Sequence, residues 1–296
     1  MVKAEAGLVT WAQSDRAVVS VGDRVVVCRL RGRLRQGQGR VMTGDRVRVE
    51  ILDDSTGIID DIAPRENQLS RPPIANVDQV VVVATLREPP LNPYLVDRLL
   101  VLSEHQGIPA LICLNKIDLL DDAGETRSFR ERFHSAGYRI IPASASRGEG
   151  KSDLEQVLVS NVSVLAGETG VGKSSLLNLI LPGSGLRTGP VDSRSGRGRH
   201  ITREVRLLDL PRGGRVADSP GFMRVDTSFI PTEMVAGCFP EMRRPMEECR
   251  FRDCLHLTEP GCGVIAALEA GGIDPCRYES YRRMVQDSRE REENQY

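Results

Sequence analysis

The sequence predicts a multidomain protein: an N-terminal all-β barrel, a central α/β domain, and a C-terminal helical module rich in clustered cysteines. Three observations predict it. Residues 1–72 hold only short strand-like runs between turn signals, residues 73–225 alternate continuous apolar strands with helical stretches, and residues 226–296 carry cysteines spaced like metal ligands. At 296 residues there is room for two or three domains with cores of their own. Hydrophobic residues at 40% and charged residues at 27% exclude wholesale disorder and fibres. Lysine plus arginine, 40, against aspartate plus glutamate, 41, leaves a formal charge of -1, so local basic patches must hold any nucleic-acid partner.

In the first domain, residues 17–21, 24–30, 46–52 and 57–62 read as strands, with Gly22-Asp23 and Gly44-Asp45 as turn signals. Arg46-Val47-Arg48-Val49-Glu50-Ile51 alternates with period two, as a half-buried strand should. No amphipathic helix intervenes, so a small barrel is expected. Between Arg24 and Arg48 stand eight arginines and one acid, Asp45. That concentration suits RNA phosphates, against the plainer reading of a solvated barrel face.

In the second domain, residues 79–85 and 110–115 are apolar strands separated by a helix that Asn92 caps and Pro93 opens. Further strands are expected at 139–143, 160–166, 205–210 and 215–217, with helix over 154–159 and 172–181. In the third, residues 289–294 read as a solvated tail. Seven cysteines are too sparse for a disulfide framework, residues 1–11 lack a secretory apolar block, and no apolar run approaches the ~18 residues of a membrane span. A cytoplasmic protein without a membrane partner is expected, with a monomer as the working assumption.

The strongest motif is Gly167-Glu168-Thr169-Gly170-Val171-Gly172-Lys173-Ser174, followed by Ser175: a complete GxxxxGKS loop between an apolar strand and a helix. Its glycines let backbone N–H groups wrap phosphates, Lys173 supplies a point charge, and Ser174 offers a hydroxyl to Mg²⁺. Only four lysines stand among the 40 cationic residues, so this one is a marked choice. Asn115-Lys116-Ile117-Asp118 ends a buried strand, the edge where ligands bind in such sheets. An aspartate there can accept from guanine N1–H and the exocyclic amine, whereas adenine would leave it unpaired at a cost of roughly a few kcal/mol. Lys116 can lie along the base and Asn115 can tie neighbouring loops. Ser144-Ala145-Ser146 follows the next strand, where the Ala145 N–H can reach the guanine carbonyl.

Asp218-Ser219-Pro220-Gly221 fits DxxG, Asp218 holding Mg²⁺ through water and the Gly221 N–H sensing the γ-phosphate. Upstream, Thr202 can ligate Mg²⁺ when GTP is bound; a capping threonine is the alternative. Cys249, Cys254, His256 and Cys262, spaced Cx₄CxHx₅C, suit a closed, structural, tetrahedral zinc site. The isolated Cys28, Cys113, Cys238 and Cys276 read as buried small hydrophobes.

These motifs resemble those of translation-factor-related GTPases in rotated order: NKID, SAS, phosphate loop, threonine, DSPG. The central domain therefore reads as a circularly permuted P-loop GTPase domain, with the C-terminal module following the switch directly. With the basic barrel and the cysteine module, the chain resembles the ribosome small-subunit-dependent GTPase A family (RsgA, also called YjeQ). The resemblance rests on NKID, GETGVGKSS, GRHIT, DSPGF and the run from Cys249 to His256 extended by Glu259-Pro260-Gly261-Cys262. It implies an OB-fold RNA-binding barrel over 1–72, a permuted GTPase domain over 73–225, a zinc-binding domain over 226–296, and subunit-stimulated GTP hydrolysis in late small-subunit maturation. Two residues depart from the family pattern. Ile201 stands where threonine follows the switch histidine, leaving Thr202 as the Mg²⁺ ligand, and Ser219 replaces the commoner threonine of DTPG.

Phe222 occupies the position after DxxG where many GTPases carry a water-orienting glutamine, so unaided hydrolysis should be slow. His200, in the arginine-rich stretch 187–206, is the replacement that chemistry and resemblance favour as the catalytic residue; an RNA-phosphate contact is the alternative. Phe222 also keeps open a different class of function, a nucleotide-stabilised rRNA-binding placeholder with incidental hydrolysis. A permuted GTPase of the large subunit would leave the barrel and zinc module unexplained.

Overall fold

The computed structural model describes residues 4–32, 34, 40–70, 72–183, 205–218 and 225–294. Two compact units emerge: Met1–Gln79 with Glu155–Leu165 and Pro190–Phe222, and Val80–Leu154 with Ala166–Gly189 and Met223–Tyr296.

In the first unit, β1 (Ala4–Gln13), β2 (Arg16–Val21), β3 (Arg24–Leu30), β4 (Arg46–Ile51) and β5 (Thr56–Ile62) pair in the order β1-β2-β3-β5-β4. β4 returns to β1 and closes a five-stranded barrel with no free edge. The period-two pattern puts Val26, Cys28, Val47 and Val49 inside with Val9, Val19 and Ile59. β1 is the strand that the sequence reading omits. A register shift between Val9 and Trp11 interrupts its pairing, so no unbroken alternation marks it. After the short pair β6 (Gln68–Ser70) and β7 (Pro73–Ala75), this unit also contains β11 (Val162–Ala166) up to Leu165, β12 (Arg206–Asp209) and β13 (Arg215–Asp218). β11 runs parallel to β13, β13 antiparallel to β12, and β12 meets β1 where the Arg206 guanidinium lies 5.5 Å from the Trp11 ring centroid.

Folding supplies acids that the linear arginine count misses. Arg24 pairs with Glu5 at 2.8 Å, Arg31 with Glu50 and with Asp60 at 3.1 Å, Arg46 with Glu66 at 2.5 Å and Arg48 with Asp61 at 3.0 Å. Such solvent-facing pairs are weak and screened by salt, so phosphate can exchange into them.

In the second unit, β8 (Gln79–Ala84, entering this unit at Val80), β9 (Ala110–Leu114) and β10 (Ile140–Pro142) run parallel in the order β10-β9-β8. Between the first two lies α1 (Pro93–His105), where Asn92 accepts from the Leu95 N–H at 3.1 Å, the cap expected from sequence. The sequence reading passes over α2 (Ala123–Arg132), because only Phe129 of its ten residues is buried and no apolar stripe announces it. Asp122, which caps it, is the signal that could have. The chain crosses between units within α3 (Lys151–Leu158) and again after Leu165, then forms α4 (Lys173–Ile180).

The C-terminal helices α5 (Pro240–Met246), α6 (Gly263–Glu269) and α7 (Pro275–Glu293) bury Phe239, Met242, Val264, Tyr281, Met284 and Val285 in one core with Val101 of α1. Residues 289–293 continue α7 as helix, and Arg289, Glu290, Glu292 and Glu293 are exposed, so the expected solvated tail is a solvated helix end. The Glu292 carboxylate accepts from Thr232 N at 3.0 Å and Thr232 Oγ1 at 2.9 Å, which ties down the last turn. Of the four isolated cysteines, Cys28, Cys113 and Cys238 are buried as expected, but Cys276 is exposed on the outward side of the first turn of α7. Arg277, 0% exposed, bonds Asp97 Oδ1 of α1 at 2.6 Å and Glu241 of α5 at 2.5 and 3.0 Å, with Phe239, Phe133 and Tyr138 ring centroids 5.0, 5.3 and 5.8 Å from its guanidinium. Among the described residues no helix is long and apolar enough to cross a membrane.

Candidate guanine-nucleotide site and metal centre

The chain leaves β11 into the glycine-rich loop and enters α4 at Lys173. Glycine is required at both ends of that loop. A Cβ on Gly167 (φ 149°) would lie 2.2 Å from the Val83 carbonyl oxygen, and one on Gly172 (φ 94°) would lie 2.3 Å from Asn115 Nδ2. Lys173 Nζ donates to the Gly167 and Glu168 carbonyls at 2.8 and 2.7 Å, folding the side chain over the loop. Burial pushes its pKa down to about 8, with Glu168 opposing. Ser174 and Ser175 are half-buried in the first turn of α4, while Thr169 and Gly170 form the exposed tip and Val171 is buried.

The NKID turn is stitched to this loop. Asn115, 2% exposed, donates from Nδ2 to the Val171 carbonyl at 2.8 Å and accepts the Ala145 N–H on Oδ1 at 3.1 Å. One amide thus joins the NKID, phosphate and SAS loops. The Ala145 N–H, expected to reach a guanine carbonyl, is already engaged, so that contact requires sharing or replacing the Asn115 bond. Lys116 adopts a left-handed backbone (φ 61°), and its Nζ donates to the Glu88 carbonyl. Ile117 N donates to the Ala143 carbonyl at 3.2 Å. Asp118 accepts from Ser144 Oγ on one oxygen at 2.6 Å and from Ser146 Oγ on the other at 2.9 Å. The Ser144 bond is the chief reason its pKa is lowered, so the carboxylate stays ionised, as an acceptor facing a base must. Sequence reasoning read Ser146 only as part of the Ser144-Ala145-Ser146 run, without its bond to Asp118, and gave Glu88 no role, since a backbone carbonyl leaves no motif.

Asp218 closes β13 opposite Arg206. Burial raises its pKa, and Arg206 opposes the shift. His200, Thr202 and Gly221, with Ser219, Pro220 and Phe222, lie outside the described residues.

In the C-terminal module the ligand atoms of Cys249, Cys254, His256 and Cys262 all lie within 4.8 Å of one another. His256 Nδ1 is 3.4 Å from both Cys249 Sγ and Cys262 Sγ, and those sulfurs are 3.9 Å apart. A zinc tetrahedron with Zn–S about 2.3 Å and Zn–N about 2.0–2.1 Å requires S···S near 3.8 Å and S···N near 3.5 Å, so the donor set fits zinc. His256 is buried, which lowers its pKa and favours the neutral, ligating imidazole. The scaffold around it was not legible from the cysteine spacing. Tyr278 Oη donates to the His256 carbonyl at 2.7 Å and Tyr281 Oη to that of Leu255 at 2.5 Å. Burial alone would raise the Glu259 carboxyl, but backbone N–H groups, among them Leu255, Leu257 and Thr258, outweigh it and hold its pKa at about 2.

A phosphate loop, an NKID turn preceding it in sequence, and flanking barrel and Cys₃His modules define a circularly permuted P-loop GTPase. Comparison with known proteins narrows the class. The family model RsgA GTPase matches residues 62–228, and RsgA N-terminal domain matches residues 6–59. The small ribosomal subunit biogenesis GTPase RsgA of Moorella thermoacetica is 48% identical over 258 residues, 87% of this chain and 88% of that protein. That of Caldanaerobacter subterraneus subsp. tengcongensis is 39% identical over 272 residues, 92% of each. Among solved structures, YjeQ from Thermotoga maritima superposes with TM-score 0.85 at 34% identity, over 97% of this chain and 99% of that one. YloQ, a circularly permuted GTPase, gives 0.83 at 31%, over 98% and 96%. The chain belongs to the RsgA GTPase family and is a GTP hydrolase.

Proposed function

We propose that this GTPase binds the small ribosomal subunit through its rRNA and assists late maturation of that subunit, hydrolysing GTP to GDP and phosphate with stimulation by the subunit. The observation that carries the reading is the Asn115 junction, which holds an ionised guanine-reading carboxylate and a phosphate loop in one bonded unit. In this reading Asn115, Lys116, Ile117, Asp118, Ser144 and Ala145 take the base, residues 167–175 take the phosphates, and Asp218 and Gly221 complete the γ-phosphate side. Ser174, Thr202 and Asp218 hold Mg²⁺, which when bound neutralises charge on the β and γ oxygens. Lys173 supplies the protein's own positive charge there.

His200 orients the attacking water when the subunit is bound. The three-domain division 1–72, 73–225 and 226–296 accompanies this reading, with one structural zinc on Cys249, Cys254, His256 and Cys262, a cytoplasmic location and a monomeric state. Phe222 favours a second reading, a placeholder whose hydrolysis is incidental. GTP turnover with and without purified small subunits, for the wild type and His200→Ala, tests the first: stimulation by orders of magnitude in the wild type alone is expected, and equal rates would refute it. Failed release of Lys173→Ala from subunits separates it from the second, since a placeholder would leave normally.

A further inference from the structure

The loop between β8 and α1, residues 85–92, belongs to none of the nucleotide motifs, yet it touches two of them. The Glu88 carbonyl accepts from Lys116 Nζ of the NKID turn. On the phosphate side, a Cβ on Gly170 would lie 3.6 Å from Pro89 Cδ, in ordinary van der Waals contact. The Lys116 stem also approaches the phosphate loop, its Cε 4.0 Å from where a Cβ on Gly172 would be. The ammonium is therefore held at its far end by a loop outside the known motifs.

That loop is anchored from both sides. Inside, Thr85, 2% exposed, donates from Oγ1 to the Pro89 carbonyl at 2.7 Å, bridging the residues on either side of Glu88. Outside, Arg87 Nη2 bonds Asp121 at 2.6 Å and Glu125 at 3.1 Å, in the segment that follows the NKID turn. The Asp121 N–H in turn donates to Glu125 Oε1 at 3.0 Å, so the clip closes on itself.

We infer that Thr85 and Arg87 are positioning residues for guanine binding, acting by fixing the Glu88 carbonyl that orients the Lys116 side chain along the base. This deepens the proposed nucleotide site and rests on that reading. A lysine side chain has many rotamers to lose, so a fixed acceptor at its tip reduces what ordering it on the ligand would cost. The orientation matters more than the bond itself, because the ammonium can find water wherever it points.

The test is a double-mutant cycle on GDP affinity, measured by calorimetry on the full zinc-loaded chain. Thr85→Val keeps shape and removes the inner anchor, Arg87→Ala removes the outer one, and each is combined with Lys116→Ala. Each single anchor variant should weaken GDP roughly three- to tenfold. In the Lys116→Ala background the same changes should have no further effect, and Arg87→Lys should restore part of the loss. If the losses are the same with and without Lys116, or if Arg87→Ala binds GDP like the wild type, the inference is overturned. Should Thr85→Val fail to fold, the exposed Arg87 arm decides alone. Failure of the wild type to bind GDP would instead strike at the nucleotide-site reading itself, so the two failures are distinguishable.

Discussion

Replacing Arg277 by methionine removes the charge at the joint between α1 and the C-terminal helices while keeping most of the side chain's length. The guanidinium is fully buried against Asp97 and Glu241, each with a side chain 1% exposed. Removing one partner of such a buried pair typically costs about 3–5 kcal/mol, because the carboxylates stay out of water without their counter-charge. Loss of the three aromatic faces adds about 1–2 kcal/mol, and methionine recovers part of it through apolar packing. A net loss of about 4 kcal/mol corresponds to about 10 °C for a unit of roughly 150–250 residues. The effect should depend on pH. Burial raises the Asp97 pKa above its unfolded value, and Arg277 opposes that rise. A raised carboxyl loses stability as pH increases from the unfolded towards the folded pKa, and removing the arginine extends that window upward. The deficit should therefore shrink on going from mildly alkaline to mildly acidic pH, the direction in which Asp97 takes up a proton. Thermal unfolding of the zinc-loaded protein, followed by circular dichroism at both ends of that range, reads this out. A midpoint within about 2 °C of the wild type at neutral pH, or a deficit independent of pH, would refute the reasoning.

Three further outcomes are expected. Nucleotide affinity should fall as pH rises through about 8, because the Lys173 ammonium that phosphate requires loses its proton there; calorimetry in buffers of different ionisation enthalpy should show proton uptake on binding, and a flat profile to pH about 9.5 would contradict it. Cys254→Ser should lose stoichiometric zinc and loosen α6 and α7 in hydrogen exchange, while the fluorescence of Trp11, the chain's sole tryptophan, stays unchanged in the barrel; retained zinc would sink the ligand assignment. If about five arginines meet rRNA phosphates, subunit affinity should follow a log–log salt slope near -4. Each barrel arginine that keeps its own acid, as Arg24 does with Glu5, reduces the magnitude of the slope by about 0.8, so a slope near zero would exclude the basic barrel as an electrostatic contact.

Much of the site was legible because its chemistry is encoded locally. Gly167, Gly170, Gly172 and Lys173 must lie in one short run to form a phosphate loop, Asn115 to Asp118 must share a turn, and four clustered Cys and His donors within fourteen residues announce themselves. The apolar runs of β8 and β9 and the Asn92-Pro93 cap were readable for the same reason. What escaped is non-local or lacks side-chain identity. The bulged β1 hides its alternation, α2 buries a single residue, Phe129, and the Glu88 contact is made by a backbone carbonyl. The barrel arginines looked unopposed because Glu5, Asp60, Asp61 and Glu66 approach only after folding. That residues 289–293 are helical and anchored escaped because the Thr232 partner of Glu292 lies sixty residues away.

The central claim is that Asp118 selects guanine. Calorimetric affinities for GDP, ADP and xanthosine diphosphate, measured on the wild type and on Asp118→Asn, test it most directly. GDP should bind the wild type at least about a hundredfold more tightly than ADP, and the asparagine, which can donate to the xanthine C2 carbonyl, should transfer the preference from GDP to the xanthine nucleotide. Equal wild-type affinity for GDP and ADP, or an asparagine variant that still prefers GDP, would contradict the account.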